Sequence, residues 1–456
     1  MSELVQREVL DTAVSILEEH TICDRCLGRQ FAWLSTDTTN NERGSAIKLT
    51  LSMIADNELK SENPEGGKRV ISLLAGHGMF SSAQMIAEKN SIEYSKSTDC
   101  HLCSTDGHSV FDKIDEVARN AEVLARDIEF DNFLVGTIPH PELDDRQDDL
   151  RAKHSLLHAE VLKSDFSREL GKHLHEILKR EVEFERPQLV ILYDMVKDEI
   201  RVQINPVFIY GRYLKLKRGI PQSRWDCKQC KGRGCDECKG TGRRYPDSIS
   251  EYVGDVAQQL LKGTRFKFHA AGREDVDVLM LGNGRPFVVE VSEPRIRSPD
   301  LENLEKRINK EAKKRIKVKD LMMTTREYSQ KLKEDASNNV KEYLALVQTD
   351  GPVIEEVLRK CETELAGSEI EQRTPTRVSH RRSDLVRKKL IHDVRLKKLK
   401  DGTIEAFFKV QGGTYVKELI SGDDGRTIPS LASKLGVGCV CKKLDVTAVY
   451  SSTNPP

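Results

Sequence analysis

No run of about 18 or more apolar residues occurs in this 456-residue chain, so no membrane-spanning helix is expected. Met1 to Leu10 lacks the basic start and apolar core of a secretory signal peptide and carries acidic residues instead. Net charge is also missing. Lys and Arg number 73, Asp and Glu 73, which excludes a uniformly basic nucleic-acid binder but not a local basic face. There is no internal repeat with a period of roughly 20–50 residues and no long low-complexity tract. With 38 % hydrophobic and 32 % charged residues the chain is polar, yet not polar enough for wholesale disorder. A soluble cytoplasmic protein is expected, with two or three domains at roughly 150 residues each.

Cysteine is not scattered as cross-links in a secreted chain would be. Of eleven cysteines, eight lie in four CxxC pairs, a pattern of metal or redox sites in a reducing compartment. Two residues between cysteines let both thiolates reach one ion from a tight turn, and two such turns complete a tetrahedral site. Cys23, Cys26, Cys100 and Cys103 form one expected set, which would clamp distant segments. Cys227, Cys230, Cys235 and Cys238 form a second, inside CKQCKGRGCDECKGTG, whose pattern resembles the repeats of the DnaJ zinc domain. Structural Zn2+ is the expected occupant of each set. A filled four-cysteine site has no open position, so neither set is expected to do chemistry. Cys361, Cys439 and Cys441 are read as packing residues.

Charge is uneven along the chain. Phe111 to Leu150 carries four basic residues against twelve acidic, and Glu371 to Lys400 eleven basic against three acidic. One run alone is a solvated helix face. Their separation points to a polyanion site in the C-terminal half, with Lys306–Lys319 and Arg373–Lys400 as candidates to grip a phosphate backbone. Helical spacing marks Val5–Ile22, Glu116–Ala125, Leu150–Leu178 (one helix or two) and Ile249–Leu261. Trp225–Tyr245, with four cysteines and four glycines, reads as a joint. Beyond it, Val276–Leu281 and Pro286–Val291 are strand candidates joined by a Gly282-Asn283-Gly284 hairpin turn. Leu304–Leu332 reads as a charged helical region, and Val378–Val386, Ile404–Val410 and Leu444–Val449 as further strands. The expected organisation is an accessory region at 1–225, a cysteine joint at 226–242 and an α+β, mostly antiparallel domain at 243–456.

In Ala271-Gly-Arg-Glu-Asp-Val-Asp-Val-Leu-Met-Leu-Gly282, Asp275 stands at the entrance to a strand, behind Gly272 and Arg273. The glycine permits close backbone approach, and the arginine can hold a phosphate or the carboxylate itself. A carboxylate beside a guanidinium stays ionised, as a nucleophile or base must. The plain alternative is a loop carboxylate paired with Arg273. Gly412-Gly413-Thr414-Tyr415-Val416-Lys417-Glu418-Leu419 follows a strand candidate and starts a helix, so Lys417 can approach an aspartate on a neighbouring strand. Tyr343, near Lys341, is either an edge or core tyrosine or a ring on which a base stacks. The same stretch also permits a metal-dependent nuclease, with Asp275, Asp277 and Glu290 binding Mg2+, although Val291 and Ser292 stand where a catalytic lysine would follow. A non-catalytic RNA-binding scaffold with two zinc modules is the remaining alternative.

GREDVDV resembles the GRxD signature around the catalytic aspartate of pseudouridine synthases. GTYVKEL resembles the GTYIRxL segment of the TruB-type enzymes, with Lys for Arg, and KEYLAL the segment that carries their active-site tyrosine. ICDRCLGRQFA, SRELGK, NPVFIYGRYLKLKRGIPQ and QRTPTRVSHRR (Gln372–Arg382) extend the likeness from Ile22 to beyond Leu419. Over that span the chain resembles the archaeal tRNA pseudouridine synthases of the Pus-ten family. The resemblance implies a pseudouridine synthase fold, α+β with a central mostly antiparallel sheet, and an N-terminal zinc-bearing region with a THUMP-like RNA-binding fold. It implies Asp275 as the catalytic aspartate and Tyr343, Tyr415, Lys417, Leu419 and Arg273 as substrate-binding residues, Lys417 being the cation paired with the carboxylate. The implied substrate is tRNA, at positions 54 and/or 55 of the T loop in tRNA numbering. No catalytic cofactor, nucleotide or membrane is implied, and a monomer is expected.

Overall fold

The helical spacing that starts at Val5 folds as the helix Ser2–Glu19, whose buried Ala13, Ile16 and Leu17 lead toward the first cysteine turn. The computed structural model describes residues 2–62, 64–381 and 383–451, so the last arginine of the Gln372–Arg382 motif lies outside the described residues. The chain divides into two units, Met1–Asn205 and Pro206–Pro456. The division falls at Asn205 rather than at residue 225, because Val207–Lys215 is a strand of the second unit's sheet.

In the first unit the helices Asn40–Leu59, Glu65–Gly76 and Ser81–Lys89 share a core built from Leu27, Leu51, Ile71 and Leu74. Downstream lies a four-stranded sheet. Asn132–Ile138 runs parallel to Leu189–Asp194 and to Glu181–Val182, and Leu189–Asp194 runs antiparallel to Glu199–Ile204. Burial alternates along Asn132–Ile138 and Glu199–Ile204, as side chains on opposite faces of a half-covered sheet require. The Leu150–Leu178 stretch is two helices, Pro141–His154 and Leu162–Leu178, the first ending at Ser155 in the left-handed region.

The second unit is built on a ten-stranded sheet. Its order is Ile316–Thr324, Val207–Lys215, Leu279–Ser292, Cys439–Tyr450, Val340–Thr349, Ile404–Gln411, Val386–Lys398, Glu369–Arg373 and Thr427–Ile428, with Arg265–Ala270 also paired to Leu279–Ser292. Neighbours are antiparallel except Leu279–Ser292 with Cys439–Tyr450, which are parallel. The result is the mixed α+β unit with a mostly antiparallel sheet that the sequence leads one to expect.

Three local expectations fail. Leu279–Ser292 is one strand, not two joined by a hairpin turn. Gly282 and Gly284 do take positive φ, 58° and 76°, but they bend the strand past its neighbour instead of reversing it. A Cβ at Gly282 would stand 1.7 Å from the Thr447 carbonyl oxygen, and Asn283 bonds the Val449 carbonyl and amide at 3.0 and 2.9 Å. Leu304–Leu332 is not one helical region. Helices Leu301–Glu311 and Arg326–Glu334 flank the strand Ile316–Thr324, whose Ile316 and Val318 are buried where it pairs with Val207–Lys215. A partner strand outweighs the helical preference of the charged residues around it. Val378–Val386 is likewise not a strand; Thr376–Arg381 is a short 3-10 helix and the strand begins at Val386. Among the described residues no helix is long and apolar enough to cross a membrane.

Candidate active site

The loop 271–278 enters the Leu279–Ser292 strand, and its carbonyl oxygens are met by polar side chains. Arg285 Nη1 donates to Ala271 O at 2.8 Å, and Gln222 Nε2 to Gly272 O at 2.9 Å. Lys215 Nζ donates to Asp275 O at 3.0 Å and Val276 O at 2.9 Å, and Arg218 Nη1 to Asp277 O at 2.6 Å. Backbone acceptors removed from water need such partners, and together they fix the course of the loop. Lys215, Arg218 and Gln222 all belong to NPVFIYGRYLKLKRGIPQ, a motif that carries part of the resemblance but to which sequence reasoning gave no role. Gly272 has φ of 87°, and a Cβ there would stand 2.9 Å from Lys341 Nζ and 3.1 Å from Arg285 Nη1. A side chain at this position would crowd both cations and strain a backbone held at positive φ.

That floor is a buried polar network. The Glu274 carboxylate accepts from Tyr213 Oη at 2.9 and 3.0 Å and from Arg285 Nε at 2.8 Å. Burial pushes the Lys341 amine down to about 7; repulsion by Arg285 adds to this and Glu274 opposes it. Burial likewise brings Lys215 down to about 8, with Glu274, Asp277 and Asp275 opposing. Folded Lys341 titrates below the ordinary lysine value of 10.5, so between about pH 7 and that value the unfolded chain binds more protons. Its contribution to stability therefore rises with pH across this window, and below it the cost of burying the charge is felt in full. Lys341→Met is expected to gain most over wild type near pH 7 and progressively less toward pH 9, about the range urea titrations can cover. A difference between the two proteins that does not change with pH would contradict this.

Above the floor, five charged side chains alternate in sign. Asp275 meets Arg377 Nη1 at 3.0 Å and Lys417 Nζ at 3.3 Å. Arg377 also bonds buried Glu418, Nε to Oε1 at 2.6 Å. Lys417 bonds both oxygens of Asp277, at 2.8 and 3.0 Å. Burial would raise the Asp277 pKa, but the hydrogen bond and charge of Lys417 outweigh it and leave it lowered. Lys417 mirrors this. Burial disfavours its charge, yet bonding to Asp277 and the field of Asp275 leave its pKa raised. The expected Lys417–Asp275 pair is thus present, but as the longer contact. The nearer cation is Arg377, which sequence reasoning missed although it stands in the QRTPTRVSHRR motif.

The remaining candidates divide. Tyr343 is half-buried against the sheet core, and its hydroxyl is raised by burial, with Arg285 opposing and the charges of Glu274 and Asp275 adding. It therefore shares the electrostatic environment of Asp275. Tyr415 precedes the helix Val416–Ser421 and is tied through its backbone to Gln372, at 2.9 and 3.0 Å. Leu419 is fully buried in the core and offers no surface to a substrate, because it lies on the inward side of that helix. Arg273 lies over the Trp225 indole, 5.0 Å from its centroid, rather than on Asp275. The three carboxylates of a nuclease are not brought together, since Glu290 is engaged by Lys267 at 2.8 Å and His269 at 2.9 Å.

Both cysteine sets converge. Within each, the four Sγ atoms lie within 4.8 Å of one another. Cys23–Cys103 stand 3.8 Å apart, Cys227–Cys235 3.9 Å and Cys230–Cys238 3.8 Å. Four thiolates about 2.3 Å from one ion at tetrahedral angles stand about 3.8 Å apart, so the donors fit a metal. Backbone amides point at the sulfurs: Cys26 N–H at Cys23, Gly234 N–H at Cys230 and Gly242 N–H at Cys238, at 3.4, 3.1 and 3.1 Å. Such amides stabilise thiolate charge. In the first set, fully buried Arg29 reaches Cys26 Sγ at 3.7 Å, while its Nε and Nη1 have no hydrogen-bond partner among the described residues. A tetrathiolate around a divalent ion is net negative, which gives this cation the counter-charge that burial demands.

Residues 208–450 match the family model described as Pus10, C-terminal, and residues 117–194 match that of the archaeal Pus10 THUMP domain. The tRNA pseudouridine synthase Pus10 of Methanothrix thermoacetophila is 38 % identical over 450 residues, 99 % of this chain and 96 % of that protein. That of Halorubrum lacusprofundi is 38 % identical over 98 % of each chain. That of Methanocaldococcus jannaschii is 38 % identical over 96 % of this chain and 94 % of its own. Among solved structures, a chain of a Cbf5–Nop10–Gar1 complex is 20 % identical with a TM-score of 0.27, covering 44 % of this chain and 46 % of that one.

Proposed function

This chain belongs to the Pus10 family of tRNA pseudouridine synthases, and from that premise we propose that it isomerises uridine to pseudouridine in the T loop of tRNA, with Asp275 as the catalytic carboxylate. The observation that carries this is the Asp275 carboxylate between Arg377 and Lys417, on a loop whose backbone is bonded from beneath. In the reaction the C1′–N1 glycosidic bond breaks and a C1′–C5 bond forms; C5 gives up a proton and N1 gains one. Oxidation state does not change and no group leaves the nucleotide, so the residues needed are a carboxylate, a surface for the detached uracil and a route for one proton. Asp275 supplies the first. Tyr343, which shares its field, is the ring on which the uracil rests. The target nucleotide must be taken out of its stack to reach such a loop, at a cost of a few kcal/mol that phosphate contacts offset. The basic strand Val386–Lys398 and the region Lys306–Lys319 are suited to those contacts.

The two four-cysteine sets hold structural Zn2+, which supplies a fixed tetrahedral crosslink and no chemistry. Cytoplasmic residence and a monomeric state complete the proposal. Its test is direct: the protein is incubated with an unmodified T-arm transcript without added metal or nucleotide, and pseudouridine is mapped by carbodiimide-dependent primer-extension stops. Stops in the T loop are expected; a transcript that remains unmodified, or is cut, counts against the assignment.

Arg377→Met removes a partner from Asp275 and from buried Glu418 together. It is expected to lower kcat/KM by about 10²-fold or more, the scale on which small misplacements of a reacting group act. Arg377→Lys, whose point charge cannot fork between two carboxylates, should recover only part of that. Full activity in both variants would remove Arg377 from the site.

A further inference from the structure

The cysteine knuckle of the second unit is not absorbed by the reaction proposed above, and it borders a cleft of its own. A cavity of about 370 Å3 is lined by Trp225, Asp226, Lys228, Arg244, Arg273 and His380. Arg244 and Arg273 lie over the Trp225 indole, at 5.2 and 5.0 Å from its centroid. The edge of Tyr245 meets the same indole at 5.5 Å. The knuckle holds this arrangement together. Arg244 N–H bonds Trp225 O at 2.9 Å, Cys227 N–H bonds Gly242 O at 2.8 Å, and the backbones of Asp226 and Arg243 pair as an isolated antiparallel β-bridge. The one acidic lining residue, Asp226, is already engaged by Arg224 at 3.0 Å. Among the described residues neither Lys228 nor Arg244 has a carboxylate partner. A guanidinium stacked on an indole is pre-oriented and presents its N–H edge to an anion.

We propose that the metal-bound knuckle forms a phosphate-binding subsite, in which Arg244 and Lys228, beside Trp225 and Arg273, hold the RNA phosphodiester next to the target uridine. This rests on the pseudouridine synthase assignment. Arg273 lines the cavity and is two residues from Asp275, their Cα atoms at most about 7 Å apart, so the cavity borders the loop that carries the carboxylate. The chemistry of the lining selects the ligand. Two guanidiniums, an ammonium and an imidazole around a flat ring suit a phosphate attached to a nucleoside, and the knuckle's own chain fixes the distance between that grip and the reacting base.

The test separates binding from turnover. T-arm RNA is titrated against the full-length Asp275→Asn protein and against the same protein carrying R244Q and K228Q, over a series of KCl concentrations. The pair is expected to raise Kd about tenfold near physiological salt and to reduce the slope of log K against log salt by about 0.7–0.9, the counterion release of the one phosphate it holds. In the protein that retains Asp275 the pair is expected to raise KM about tenfold with a smaller fall in kcat, the mark of lost ground-state binding. K360Q, on the exposed face of the helix Glu355–Leu365, should change neither Kd nor slope. A Kd within twofold and an unchanged slope for R244Q/K228Q overturn the proposal. Because the titration needs no turnover, tight salt-sensitive binding by the wild-type protein, with no pseudouridine formed by it, would defeat the reaction assignment and leave the subsite standing.

Discussion

Asp275→Asn is expected to abolish pseudouridine formation, by about 10⁴-fold or more, while the protein folds and binds tRNA as before. The substitution keeps the shape of the side chain and removes its charge, and charge is what the surroundings are built to receive. Arg377 and Lys417 approach the carboxylate at 3.0 and 3.3 Å. Neither is left without an acidic partner, since Arg377 keeps Glu418 and Lys417 keeps Asp277. The Asp275 side chain is 35 % exposed, so screening by water keeps the stability change within about 1 kcal/mol. Activity and stability should therefore separate: single-turnover assays read the loss, and thermal unfolding reads its absence elsewhere. An Asp275→Asn protein that isomerises tRNA as fast as wild type would end the assignment of this loop. A second outcome also discriminates. If Asp277→Asn is the inactive variant and Asp275→Asn is not, the catalytic carboxylate is the one Lys417 bonds most closely.

Loss of metal from the first cysteine set is expected to unfold much of the first unit, whereas loss from the second should loosen only the knuckle. The difference lies in what each set joins. Cys23 and Cys103 bring together segments 80 residues apart, inside a core shared with Ile22, Leu27 and Leu102. Around them Lys48 Nζ bonds Ile22 O at 2.8 Å, Asp24 Oδ1 at 2.7 Å and Gly78 O at 2.6 Å, and Arg25 bonds Asp165 through two nitrogens. Without the thiolate charge, fully buried Arg29 loses its nearest counter-charge and keeps only the field of Asp165, a defect on the scale of the about 3–5 kcal/mol that breaking a buried pair costs. Cys103→Ser, or exhaustive chelation, should therefore lower the unfolding free energy of the first unit by at least that much. The second set spans only Cys227 to Cys238, with two of its four cysteines partly exposed, and Cys235→Ser should raise amide exchange there alone. Metal analysis together with thermal unfolding checks both. Protein that contains no metal and melts unchanged after chelation would show that the sulfurs meet for packing only.

Legibility from sequence tracked the range of the forces involved. The helices Ile114–Ala125 and Ile249–Leu261 and the strand Ile404–Gln411 carry their period in their own residues, so they could be read directly. The strand Ile316–Thr324 could not, because its conformation is imposed by pairing with Val207–Lys215. Gly282-Asn283-Gly284 has the composition of a hairpin turn. What makes it a bend within one strand is Thr447 and Val449, which approach from another part of the chain. Leu419 matched a motif, yet its burial follows from how the short helix that carries it packs.

What this sequence determined by itself is an inventory of chemistry. It carries four CxxC turns whose spacing suits metal, an aspartate set behind a glycine and an arginine, and an ordered set of segments that mark the family. Only the tertiary structure decided which groups meet. Arg377 reaches Asp275 from 102 residues away, Lys417 reaches Asp277 from 140, and Arg273, the near neighbour, turns to Trp225 instead. The physical reason is that an ion pair depends on distance through space, and on an irregular loop closeness in sequence does not fix where two side chains point. Charges close in sequence can therefore part, and charges far apart in sequence are the ones the sheet brings face to face.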